Sequence, residues 1–74
     1  MSFNYNKLKG RIVECFGTRT AFAAAIGITN ETLSRKLNGR SHFSNDEITK
    51  MCDLLKIDYN RIPVYFFATS DQSN

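Results

Sequence analysis

A chain of 74 residues, 42% hydrophobic and 23% charged, has room for one small core, so an elaborate catalytic cleft is excluded at the outset. The net charge of +3 is unevenly spread: seven basic residues face two acidic ones up to His42, and three face five beyond it, a one-sided field that favours a polyanionic partner. The opening MSFNYNKLKG has no apolar stretch and no apolar run approaches ~18 residues, so neither a signal peptide nor a membrane span is expected.

Helical period and punctuation organise the chain into a compact all-α bundle of about five short helices. The first spans Tyr5 to Phe16, with Asn4 placed to cap it and Leu8, Ile12, Val13, Cys15 and Phe16 forming a broad apolar stripe. Gly17 stops it. Thr18 then caps a two-turn second helix, Arg19 to Ile26, whose alanines favour helix and leave a slim surface for close packing, with Phe22, Ala23 and Ile26 inward. Gly27 ends this helix, Ile28 plugs the turn, and Thr29 caps a third helix that runs to Leu37 or Asn38.

At 100° per residue, Leu33 and Leu37 share one face of the third helix, while Glu31, Arg35 and Asn38 lie nearly opposite, flanked by Asn30, Thr32 and Ser34. After the loop GRSHF, Ser44 and Glu47 make a capping-box pattern that opens a fourth helix to about Lys56, with Ile48, Met51, Cys52 and Leu55 on its inner face. Asp58 is placed to cap a short fifth helix that ends near Pro63. VYFF follows, and a polar, disordered tail is expected over residues 68–74, leaving one domain over residues 4–67. Cys15 and Cys52 both fall on apolar helical faces, so both are expected as buried, reduced thiols of an intracellular protein.

Two short helices joined through a glycine turn, the second with a polar outer face, form the pattern of a helix-turn-helix. The stretch TRTAFAAAIGITNETLSRKLNGR resembles the lambda-repressor-like (Xre/Cro) helix-turn-helix family in Phe22 and Ala23, Gly27 in the turn, Ile28 as plug, Thr29 as cap, Leu33 as buried residue and the closing Asn38–Gly39. The opening FNYNKLKGRIVECFG and the closing YFF also resemble small regulators encoded by phages of Gram-positive bacteria. The resemblance implies a cytoplasmic regulator, acting in a bacterial host, of a lysis/lysogeny switch. It also implies base contacts from the first two helical positions after the cap and the residue four beyond, here Asn30, Glu31 and Arg35. Phosphate contacts are implied for Arg19, at the start of the second helix, and for Asn38, with Arg40 just beyond it.

The chemistry of these side chains supports such a face independently of the family. A helix about 10–12 Å across fits the major groove of B-DNA. There Arg35 suits a bidentate contact to guanine, Asn30 one to adenine, and Glu31 can accept from cytosine. Thr32 and Ser34 are secondary base contacts, and Thr18 assists at the backbone. Arg35 and Lys36 have a plain alternative as solvated charges, and Glu31 as an i,i+4 partner of Arg35 worth about 0.2–0.5 kcal/mol. His42 reads as a polar loop residue, and a lone histidine makes no metal site. Tyr59, Tyr65, Phe66 and Phe67 read as core closure rather than a stacking platform.

No glycine-rich phosphate loop, metal-ligand spacing or nucleophile–base pair is present in the pattern, so an enzyme, a metal or a cofactor is not expected. The reading is a double-stranded DNA-binding regulator of operator sites, pairing as a homodimer at least on DNA, with VYFF as the candidate contact. The competing class is an antirepressor or modulator that binds the phage repressor protein. Glu31 keeps that alternative open, because an acidic group facing phosphates must gain a specific contact or be repelled.

Overall fold

The computed structural model describes residues 3–68, so the tail expected over residues 68–74 lies outside the described residues apart from Ala68. The chain is all-α: α1 (Asn6–Phe16), α2 (Arg19–Ile26), α3 (Asn30–Leu37), α4 (Asn45–Leu55) and α5 (Ile62–Phe66), the last entered through a 3-10 turn at Tyr59–Arg61. The central helix ends follow the sequence signals. The Thr18 side chain accepts from the Ala21 amide, Thr29 accepts from Thr32, and Ser44 and Glu47 complete a reciprocal capping box. Gly27 closes α2 in the left-handed region at φ 84°, and the Ile28 amide donates back to the Ala23 carbonyl at 3.0 Å.

Lys56 does at the end of α4 what glycine does at the end of α2. It sits at φ 57°, and the next amide, Ile57, donates to Cys52 O at 2.9 Å. A non-glycine residue is disfavoured there by about 1–2 kcal/mol. The compensating gain is burial of Ile57 against the core.

The interior is wholly apolar among the described residues. Leu8 and Ile12 of α1, Phe22 of α2, Leu33 of α3, Met51, Cys52 and Leu55 of α4, and Phe66 of α5 are essentially sealed from solvent. Each such side chain stabilises the fold by roughly 1.5–3 kcal/mol relative to leaving it exposed. Helix α1 lies at the centre and packs against α2, α4 and α5, while α2 bridges to α3 and α4. Ring contacts knit the two ends: Phe43 meets Tyr5 and Phe66 edge-on at 5.5 and 5.6 Å, and Phe3 meets Phe67 at 5.6 Å.

Several expectations are corrected. Helix α1 begins at Asn6, and Asn4 acts just outside it, its side chain accepting from the Asn6 amide at 2.8 Å while Tyr5 turns into the core. The apolar stripe of α1 is narrower than expected: Val13 is half exposed, as its angle away from Leu8 and Ile12 dictates. Cys15 is exposed too, because its thiol reaches only the carbonyl of Leu55, where α4 ends; Cys52 alone is a buried free thiol. Asp58 makes no side-chain cap, and Pro63 stands in the first turn of α5 rather than at its end. Of the four aromatic residues expected to close the core, Phe66 is buried and Tyr65 half-buried, whereas Tyr59 and Phe67 are largely exposed.

Candidate functional site

The face opposite Leu33 and Leu37 on α3 carries the residues singled out by sequence, and their placement divides them. Asn30, Glu31 and Arg35 are exposed, and so are Asn38 and Arg40 beyond the helix end. Thr32 is half-buried and already engaged, its hydroxyl accepting from Thr29 at 2.9 Å in the cap of α3. Ser34 is half-buried on the flank. On α2, Thr18 is committed to its cap, and Arg19 sits half-buried in the first turn. The open face of α3 is therefore Asn30, Glu31 and Arg35, continued past the helix end by Asn38 and Arg40.

Glu31 and Arg35 stand 4.0 Å apart at i,i+4, with side chains 84% and 51% exposed. Such a pair is loose and screened, contributing at most about 0.5 kcal/mol. Both groups remain free to meet a partner. The loop after α3 is fixed from its first residues: Gly39 adopts φ 81°, its amide donates to Lys36 O at 3.1 Å, and the Arg40 amide donates to Arg35 O at 2.9 Å. Asn38 also borders a shallow groove with Leu37, Asn4, Asn6 and Lys9, where the start of α1 meets the end of α3.

Lys36 departs from its expected place among the surface charges. Its side chain is only 13% exposed, and its ammonium lies 3.2 Å from Glu47 Oε1 and donates to His42 O at 2.8 Å. It also stands over the Phe43 ring at 5.9 Å. The one clue in the sequence is angular, since Lys36 falls roughly 80° from the middle of the Leu33/Leu37 stripe and so flanks it. Arg11 is likewise drawn inward, donating to Leu55 O at 2.9 Å and pairing with Glu14 at 3.1 Å. Two of the seven positive charges in the first part of the chain thus serve internal contacts.

No cluster of three or more metal-ligating side chains occurs among the described residues, and no helix there is long and apolar enough to cross a membrane.

Fold and face together define a small all-helical domain whose third helix, α3, presents an open polar face. The chain belongs to the family described as "Protein of unknown function (DUF739)", whose profile matches residues 1–69. Among solved structures it is similar to the modulator of repression (MOR) of the temperate bacteriophage TP901-1 from Lactococcus lactis, at 42% identity over 90% of each chain with a TM-score of 0.79. Comparison with curated proteins gives no match.

Proposed function

We propose that this chain is a phage-encoded modulator of repression, working in the cytoplasm of the bacterial host by binding the repressor protein of the same phage. The observation that carries the reading is the likeness to a phage modulator of repression over nine-tenths of both chains. The surface chemistry agrees with a protein partner. The exposed face of α3 is mixed in sign, with Glu31 beside Arg35, and Lys36 is withdrawn from it. Facing the phosphate rows of a duplex, Glu31 must gain a base contact or be repelled, whereas a protein surface can carry basic groups for Glu31 and acidic ones for Arg35.

A second reading is kept by Arg35 and Arg40, exposed on α3 and just past its end, and by Arg19 in the first turn of α2, cations that suit a Cro-like DNA reader. The deciding measurement sets Glu31→Gln against both ligands, the purified repressor and an operator duplex. If Glu31 meets a cation of the repressor, the substitution weakens that complex by about 2–5 kcal/mol and leaves DNA affinity little changed. If α3 instead reads bases, Glu31→Gln tightens binding to random DNA and blurs preference at one base pair. In that case wild-type affinity also falls with salt by about 0.9 log units per decade for each phosphate neutralised. A flat salt response on DNA, together with loss of the repressor complex, leaves the modulator reading standing alone.

A further inference from the structure

We infer that Lys36, through Glu47 and the His42 carbonyl, positions the loop that carries Arg40, so that this loop and α3 meet the repressor as one rigid surface. The inference rests on the function proposed above and adds a second element to the binding face.

The loop between α3 and α4 is pinned at both ends before Lys36 acts. At its start the Gly39 and Arg40 amides donate back into α3, and at its end the Phe43 ring lies between Tyr5 and Phe66. Lys36 spans the stretch in between: one ammonium reaches the backbone of the loop at His42 and the carboxylate of α4 at Glu47. The same carboxylate oxygen accepts from the Ser44 amide at 2.9 Å, so one atom ties the last turn of α3 to the first turn of α4. The α4 capping box has its Ser44 and Glu47 partners without Lys36, so the stem of α4 does not require this lysine. What the lysine adds is a fixed distance between α3 and the loop.

Arg40 gains from that fixation. It is exposed, has no ion pair among the described residues, and stands two residues from the carbonyl that Lys36 holds. The Arg40 amide is bonded to Arg35 O on one side and Lys36 holds the His42 carbonyl on the other, so the backbone flanking Arg40 is fixed on both sides before a partner arrives, which removes part of the conformational freedom that binding would otherwise cost. Lys36 is thus a positioning residue, acting on the partner through Arg40.

The test is a double-mutant cycle on the full chain with the purified repressor of the same phage, using Lys36→Met, Arg40→Ala and the pair together. Methionine keeps an apolar stem beside Phe43 and removes the ammonium. Lys36→Met is expected to weaken binding about tenfold in the wild-type background and to have almost no further effect once Arg40 is alanine, because the two act as a unit. Lys36→Arg should restore most of the affinity. Amide exchange over residues 40–42 should quicken in Lys36→Met, with exchange in α2 unchanged. Losses that simply multiply in the double variant overturn the positioning role, and so does unaltered loop exchange in Lys36→Met. Wild-type protein that fails to bind the repressor at all overturns the functional reading and this partner with it. Loop exchange then still judges the clamp on its own.

Discussion

Cys15 and Cys52 occupy similar positions in the hydrophobic pattern, yet one thiol lies open beside the end of α4 and the other is sealed in the core. Burial, with the nearby Asp53 charge, pushes the Cys52 thiol above its ordinary value, so it is both shielded and poorly ionised. Alkylation of the native protein at neutral pH should therefore add one group, at Cys15, and a second only in denaturant. Intact-mass measurement that finds two adducts at once on the native protein would falsify this placement. Helical angle alone could not separate the two cysteines, because it says which way a residue points and nothing about where the neighbouring helix stops. Phe22 shows the complementary case. The sequence places it inward, the structure seals it completely, and Phe22→Ala should lower the unfolding free energy by about 3–5 kcal/mol in urea titrations. Val13→Ala, at a half-exposed site, should change it by less than about 0.5 kcal/mol.

At the scale of elements, the ends of α2, α3 and α4 were legible because each bears a local signal that acts within four residues: Thr18, Thr29 and Ser44 as caps, and Gly27 as a left-handed stop. Ser44→Ala should destabilise by about 0.5–2 kcal/mol, read as a lower melting temperature. Glu47 adds a pH dependence to the same cap. Burial alone raises its carboxyl, but the Ser44 amide and the Lys36 ammonium outweigh that and hold it below the ordinary carboxylate value. Its contribution is therefore present in full above that ordinary value and is lost as the pH falls through the lowered one. Melting temperatures between pH 7 and pH 3 should fall further for the wild type than for Glu47→Gln; parallel curves would remove Glu47 from the account. Lys56→Gly should relieve the left-handed strain and stabilise by up to about 1 kcal/mol. The bounds of α5 differ from the sequence pattern for a physical reason. Proline is tolerated in a helix's first turn as readily as it follows a helix's end, and the short 3-10 turn before it gives no period from which to choose.

For the whole molecule, the face of α3 was readable from period alone, whereas the contacts that shape it were not. Arg11 reaches Leu55 and Lys36 reaches Glu47 across separate elements, and no local pattern reports such pairs. They matter for assembly because they reduce the positive charge that the molecule can offer. The apolar end that the sequence marks for pairing shrinks as well: of VYFF, Phe66 belongs to the core and Tyr65 is half-buried, which leaves Val64 and Phe67 exposed, beside Phe3. Three such side chains fall well short of the roughly 800 Å² per partner of a stable interface. Sedimentation of the isolated protein at micromolar concentration should accordingly show a monomer. A dimer that dissociates on Phe67→Ser would reinstate pairing through this end.

The meeting of the two ends also decides how the fold yields to a pull. The Asn4 amide donates to the Ala68 carbonyl, and the rings of Phe3 and Phe67 touch, so tension applied at residues 3 and 68 falls first on one hydrogen bond and one ring contact. Behind them lies the packing of α5 on α1, with Phe66 sealed in the core, so stretching the chain between residues 3 and 68 is expected to break the end contacts before that packing. The open face of α3, which belongs to the middle of the chain, takes no part in these end contacts.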